Sequence, residues 1–421
     1  MENIAILPLD SPFDVSIELP GSKSHTNRAL LCAALADGTS HLSNWLDSED
    51  TQAMLDALGS IGTRLTLDGS AIDVSGLSGL AVNEKTQPIR VSANRSGTTA
   101  RFLLPALSFS EGEYVLDGDS QLQARPFGDQ VRSLNQLGAN LKGESLPIEI
   151  SGATPSKNSC QVSGQLSSQF LSGLLLVGPV LPQGLNIEVQ GELVSKPYVS
   201  LTLDVMNKFG AAVDFNADLT DFKIAPTRYR GANIEIEPDA SAASYFMAAA
   251  AVSKSTVEIV GLSRSSIQGD IAFAEILRSM GAEVSYGSNS ITVTGPEELV
   301  GVEVNMSDCS DVAQTLAVVA ASATGETVVS GIGFIRNKET DRVGSTVAEL
   351  KRCGVSAQEF EDGFVVQASK VQPAKVQTYD DHRMAMSFSV LGLTNAGIEI
   401  ENPRCVDKTF PEFFKTLNRL Y

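Results

Sequence analysis

The chain is poor in the residues that announce metal, redox or disulfide chemistry. It has three histidines (His25, His41 and His382) and five cysteines (Cys32, Cys160, Cys309, Cys353 and Cys405), the latter odd in number, far apart and never in a CxxC pair. That spacing excludes a disulfide framework and a zinc ribbon, and leaves buried, unpaired thiols as the expectation. No Walker loop, GxGxxG fingerprint or HExxH occurs, so neither nucleotide hydrolysis nor metal catalysis has a motif behind it, and no cofactor or metal is expected. Long apolar runs are missing too: none approaches the about 18 residues that would span a bilayer. The first twenty residues carry Glu2, Asp10, Asp14 and Glu18 where a secretory signal would have its apolar core. The expected location is the cytoplasm, or an organelle after processing.

Positive charge is scarce. Against 50 Asp and Glu there are 31 Lys and Arg, a formal net charge of −19, and such a field repels nucleic acid and acidic membrane surfaces. An anionic ligand would need a local cluster of cations. At 421 residues, 43% hydrophobic and 19% charged, the chain has the composition of an ordinary globular protein and length for two domains of roughly 200 residues, each with its own core. Nothing suggests an exposed apolar seam, so a monomer is expected.

What the sequence does have is repetition. A small-polar break followed by an Ala/Leu-rich helical run begins at Ser24, Gly97, Ser168, Ala240, Asp311 and His382, at intervals of 73, 71, 72, 71 and 71 residues. Each run leads into a strand-like stretch such as EYVLDG, LNIEVQG or STVEIVG, then a loop and a second helix. Five second helices end in a bulky residue and glycine, at Ile61-Gly62, Leu137-Gly138, Phe209-Gly210, Met280-Gly281 and Cys353-Gly354, a helix C-cap signature. The loops keep register as well, with Arg125, Lys196, Ser266, Lys338 and Lys408 spaced by 71, 70, 72 and 70. Alternating strands and helices ordinarily suggest a doubly wound parallel sheet. Six equal α/β units in a chain of this length fit two pseudo-threefold domains of three repeats better.

The polar residues fall at the same two phases. Lys23 and Ser24 open the first helical run with Arg28 one turn inside, so backbone N–H groups, a hydroxyl and two cations could meet an anion there. SGTTAR (96 to 101) places Gly97 and Arg101 at i,i+4, SSQF (167 to 170) opens a helix with two serines, and DDHRMAM (380 to 386) puts His382 and Arg383 at another helix start. RNKETDR (336 to 342) and DKTFP (407 to 411) supply Lys338, Glu339, Arg342 and Lys408. Alone, each reads equally well as a capped helix start or a solvated charge run. Their common phase brings Lys23, Arg28, Arg101, Arg125, Lys338, Arg342, Arg383 and Lys408 to equivalent places on the two domains, a set suited to two small polyanions held side by side.

With these motifs assembled, the chain resembles the 5-enolpyruvylshikimate-3-phosphate synthases of the enolpyruvyl transferase family over essentially its whole length. The likeness rests on PGSKSHTNRALL, SGTTAR, ARPFG (124 to 128), SSQFL, SKPY (195 to 198), SDVA (310 to 313), KETDR, DHRMAM and KTFP, in that order. It implies a two-domain inside-out α/β barrel, with 20–236 in one domain and 1–19 plus 237–421 in the other, closing on substrates bound in the cleft between them. It implies shikimate 3-phosphate on Lys23, Ser24, Arg28, Ser167, Ser168, Gln169, Ser195, Tyr198, Asp311 and Lys338. Phosphoenolpyruvate is implied on Lys23, Gly97, Arg125, Gln169, Arg342, Arg383 and Lys408, where glyphosate would compete. The implied reaction is enolpyruvyl transfer to the shikimate 5-hydroxyl. Asp311 would take the hydroxyl proton, Glu339 would exchange the C3 proton, Lys23 would offset phosphate charge, and His382 would orient Glu339 or the phosphate.

Two positions depart from the family pattern. Arg95 stands where many members have Asn, and Phe334 where some have Asn against the sugar-like substrate. Two rival readings remain. The sister enzyme acting on UDP-N-acetylglucosamine typically carries a reactive cysteine in its second repeat, and none lies between Cys32 and Cys160. A non-catalytic anion-binding paralogue is opposed by the intact Lys23, Asp311 and Glu339.

Overall fold

The computed structural model describes residues 3 to 421. They form two compact units, one combining the chain up to Pro20 with Glu237–Tyr421, the other Gly21–Ile236.

Each unit holds three copies of one α/β repeat. In a representative copy, strand Ile89–Ser92 leads into helix Gly97–Phe109, strand Glu113–Asp117, helix Gly128–Gln136, and strands Asn140–Lys142 and Ile148–Ser151. The leading strand pairs parallel with the strand after the helix, Ile89 opposite Tyr114. That strand pairs antiparallel with Ile148–Ser151, which in turn carries Asn140–Lys142 at the edge. Among the described residues the strands form six sheets, three per unit, and five of them follow this four-stranded order. The sixth has three strands, in which Asn3–Ile6 from the chain start pairs antiparallel with Ile398–Glu401 and so completes the last repeat.

The two crossings between units exchange leading strands. Asp14–Glu18 precedes helix Lys23–Leu35 but pairs with Thr256–Val260, whereas Asn233–Glu235 precedes helix Ala240–Ser253 but pairs with Thr39–Ser43. Each unit's first sheet is thereby finished by an edge strand that stays on its own side of the crossing.

The first helix of every repeat is buried on nearly all sides, its polar residues included, and so belongs to a core. Helices Lys23–Leu35, Gly97–Phe109 and Ser168–Val177 each touch the other two at the centre of their unit, and Ala240–Ser253, Ala313–Ala320 and His382–Gly392 do the same in theirs. The sheets lie outside, with strands alternating buried and exposed residues, as in Ile187, Glu188 and Val189. Helices therefore form the inside and sheets the outside. Close packing at the centre is visible at Pro105, which has no N–H for the Arg101 carbonyl one turn earlier. Gln130 Nε2 donates to that carbonyl instead, at 2.7 Å. Gly173 of the neighbouring helix passes so near that a Cβ there would lie 2.4 Å from the same oxygen.

The second helices are amphipathic and lie between core and sheet. The five glycines read as C-caps all adopt the left-handed conformation, φ 104° at Gly62, 91° at Gly138, 85° at Gly210, 108° at Gly281 and 78° at Gly354. All five cysteines are buried. No helix among the described residues is long and apolar enough to cross a membrane.

Candidate active site

The unit Gly21–Ile236 gathers its site residues at the N-termini of its three central helices. Ser22, Ser96 and Ser167 cap them, each accepting a backbone N–H one turn in or less. The contacts at these starts are interlocked. Lys23 Nζ lies 3.5 Å from the buried Asp50 Oδ2, and Thr99 Oγ1 is 3.5 Å from the Asp50 carbonyl. Gln169 Nε2 reaches Thr98 Oγ1 at 3.2 Å, while its Oε1 accepts from Arg101 Nη1 at 2.7 Å. Three partly positive helix ends therefore meet beside Lys23, Ser24, Ser168 and Gln169, an anion-binding arrangement of backbone and side chains together. Arg125 is buried against Gly97: a Cβ on that glycine would lie 2.5 Å from Arg125 Nη1 and 2.8 Å from Cζ. Only glycine lets the guanidinium lie on this helix start.

Two expected cations are enclosed by groups of their own unit. Arg28 is 2% exposed, and its guanidinium is taken up by Thr202 Oγ1 (2.7 Å), Ser172 Oγ (3.4 Å) and the carbonyls of Ser24 (2.9 Å) and Tyr198 (3.1 Å). Burial lowers its pKa to about 10. Arg28 thus ties the Ser24 and Tyr198 backbones together. Arg101 is sandwiched between the rings of Phe127 and Phe170, 5.3 Å from each. Ser195 is buried in the left-handed region (φ 56°) at the start of helix Lys196–Lys208. Arg95 is half-buried, with Nε 3.5 Å from Asp119 and Nη2 3.5 Å from Gln121, so its charge is offset locally.

The other unit holds a denser network centred on Arg342, the first residue of helix Arg342–Arg352. Its Nε donates to Asp381 Oδ2 at 2.7 Å, Nη1 to Asp311 Oδ1 at 3.1 Å, and Nη2 to Glu339 Oε2 at 2.8 Å and Asp381 Oδ1 at 3.3 Å. Asp311 Oδ2 accepts from Arg383 Nη2 at 2.7 Å, and Glu339 Oε1 from Lys408 Nζ at 3.0 Å. Lys338 Nζ stands 4.0 Å from Asp311. Burial works against the Arg342 charge, but Asp381, Glu339 and Asp311 outweigh it and raise the pKa. One guanidinium thus fixes two carboxylates side by side, each of whose second oxygens meets a different cation.

His382 is buried beside this network. Burial first, and then the Arg383 charge, hold its pKa well below the usual value, so the imidazole is neutral. Its Nδ1 lies 3.4 Å from Asp381 Oδ1 but without hydrogen-bond geometry, and neither ring nitrogen has a hydrogen-bond partner among the described residues. Arg336, from the same charge run as Glu339, belongs to an exposed network with Asp341 and Glu359. Phe334 packs on the unit's core.

Three residues escaped the sequence reading. Asp381 caps helix His382–Gly392 through Arg383 N and holds Arg342; its place before an apolar helix was the available signal. Asp50 and Asp270 carry no local signal beyond lying near a helix start.

A two-unit α/β scaffold of six repeats, with helix starts rich in Ser, Lys and Gly in one unit and two arginine-bridged carboxylates in the other, has a close counterpart among solved structures. The enolpyruvyl transferase NikO from Streptomyces tendae aligns over 99% of this chain and 97% of its own with TM-score 0.80 at 17% identity, and shares this fold. The family model for EPSP synthase (3-phosphoshikimate 1-carboxyvinyltransferase) matches residues 10–417, and the chain belongs to that family. Two relatives named 3-phosphoshikimate 1-carboxyvinyltransferase agree: one from Trichormus variabilis is 42% identical, covering 98% of both chains, and one from Photobacterium profundum is 40% identical, covering 100% of this chain and 99% of its own. An EPSP synthase structure from Acinetobacter baumannii aligns over 100% of this chain and 98% of its own, with TM-score 0.83 and 26% identity.

Proposed function

We propose that this chain transfers the enolpyruvyl group of phosphoenolpyruvate to the 5-hydroxyl of shikimate 3-phosphate and releases phosphate, acting as a monomer in the cytoplasm. The observation that carries the reading is the Arg342 guanidinium, which holds Asp311 and Glu339 together while Arg383 and Lys408 occupy their other oxygens. Addition–elimination needs two acid/base groups near cations that balance phosphate charge.

Asp311 takes the hydroxyl proton as the substrate oxygen bonds to C2, and Glu339 gives a proton to C3. In the second half C3 returns its proton to Glu339 as the C2–O bond to phosphate breaks, and the proton held on Asp311 leaves with the departing phosphate, which restores both carboxyl groups. Lys23, Gly97, Arg125, Gln169, Arg342, Arg383 and Lys408 hold phosphoenolpyruvate, with glyphosate as its anionic competitor. Lys23, Ser24, Arg28, Ser167, Ser168, Gln169, Ser195, Tyr198, Asp311 and Lys338 hold shikimate 3-phosphate, and Arg28 also fixes the Tyr198 carbonyl. Neutral His382 packs beside Glu339 and orients it. On this reading residues of both units serve one substrate pair, and the anions offset the charge of the cations that hold them.

Phosphate release is the test, measured with phosphoenolpyruvate plus shikimate 3-phosphate and again with UDP-N-acetylglucosamine as acceptor. Turnover is expected with the first acceptor alone, and Glu339→Ala and Asp311→Ala should abolish it. Anion binding without turnover would instead identify a non-catalytic paralogue.

A further inference from the structure

Behind Asp311 lies a buried carboxylate that this mechanism does not use. Asp270, in the Gly269–Ile271 turn, is 3% exposed and accepts a hydrogen bond from Ser241 Oγ, at the start of helix Ala240–Ser253. The same hydroxyl oxygen lies 3.4 Å from Arg383 Nη2, the nitrogen that donates to Asp311 Oδ2 at 2.7 Å. The turn is pinned in place by Gln268, whose Oε1 accepts from Ala240 N and whose Nε2 donates to the Pro238 carbonyl and to Glu237.

We propose that Asp270 is a positioning residue whose carboxylate orients the Ser241 hydroxyl and thereby holds Arg383 on Asp311. An ionised carboxylate can only accept, so Ser241 must turn its proton toward Asp270 and its lone pairs toward the guanidinium. A neutral Asp270 can donate instead, which lets the hydroxyl proton swing toward Arg383 and loosens that contact. The groups facing Asp270 are Asp239 and Ser241 from its first packed helix, Cys309 and Asp311 from the turn before helix Ala313–Ala320, and Arg383 from helix His382–Gly392. Burial, and then the Asp311 charge, push Asp270 up to about 6, so the relay changes state in weakly acidic solution. The proposal rests on the enolpyruvyl-transfer reading only for which substrate feels the change; the relay itself belongs to this unit.

The test uses the full chain with Asp270→Asn, Ser241→Ala and Ser241→Thr. In the parent, kcat/KM for phosphoenolpyruvate should rise through an inflection near pH 6. Asp270→Asn and Ser241→Ala should lower it about tenfold at pH 7.5, mainly through KM, the size of one charge-assisted hydrogen bond. Both should also lose the inflection, while Ser241→Thr, which keeps the hydroxyl, retains it. In protein labelled at aspartate carboxyl carbons, the Asp311 resonance should step at the Asp270 midpoint in the parent and not in Asp270→Asn. Variants that keep the parent's KM and inflection, or an Asp311 resonance without that step, overturn the proposal. A parent without turnover refutes the functional reading instead, and the carbon titration still decides the relay.

Discussion

Arg342→Lys tests the centre of the site most directly. The substitution keeps one positive charge but replaces a planar fork, whose three nitrogens meet Asp381 at 2.7 Å, Asp311 at 3.1 Å and Glu339 at 2.8 Å, by a single ammonium. With the side chain only 2% exposed, water cannot fill the vacated positions. At least two charge-assisted hydrogen bonds are lost, about 3–6 kcal/mol gross at about 1.5–3 kcal/mol each. The retained charge recovers part of this, leaving a net destabilisation of about 2–4 kcal/mol. For a unit of this size that corresponds to a melting shift of about 4–16 °C in the transition of the Glu237–Tyr421 unit. Because Asp311 and Glu339 both lose their anchor, kcat/KM should fall about a hundredfold to a thousandfold. Calorimetry gives the first quantity and phosphate-release rates the second. A variant that melts within about 1 °C of the parent and keeps its kcat/KM within about twofold would refute the claim that this guanidinium sets the two carboxylates.

Gly97→Ala should separate binding from stability. The new methyl meets the far end of Arg125, which can swing away cheaply, so unfolding changes by less than about 1 kcal/mol while KM for phosphoenolpyruvate rises about tenfold in steady-state assays. His25 is buried with its pKa lowered by burial to about 3, so below about pH 6.5 the unfolded chain binds a proton that the folded one refuses. Stability of the Gly21–Ile236 unit should therefore fall by up to about 1.4 kcal/mol per pH unit from pH 6.5 down toward 3, and His25→Gln should flatten that slope in urea titrations. Asp270 has the opposite sign. Its raised pKa means the folded state binds the proton more tightly, so its contribution favours folding at low pH and is lost as pH rises to about 6. Asp270→Asn should accordingly be about 1–3 kcal/mol more stable than the parent at pH 8, with the gap closing near pH 4, even as activity drops.

The repeat explains why so much was legible. A period near 71 residues, Ala/Leu-rich helical runs after small-polar breaks, and glycines after bulky residues are local or periodic signals, and helix starts, strands and C-caps fell where those signals stood. The surroundings of Arg28 were not legible, because an arginine one turn inside a helix carries no local sign that Thr202 and Ser172, which lie 174 and 144 residues away, will enclose it. Asp381 and Asp270 were overlooked because their importance comes from what is packed against them.

The sequence by itself determined the repeating unit, the family and the identity of the polar side chains at each helix start, because all of these are written in residue type and spacing. Which charges pair, which are enclosed, and which strand completes which sheet were decided only by tertiary structure. Asp14–Glu18 takes its partner some 240 residues away, and Arg342 draws together Asp311, Glu339 and Asp381 from three different segments. The physical reason is that burial and Coulomb energy depend on distance through space, and separation along the chain does not encode it.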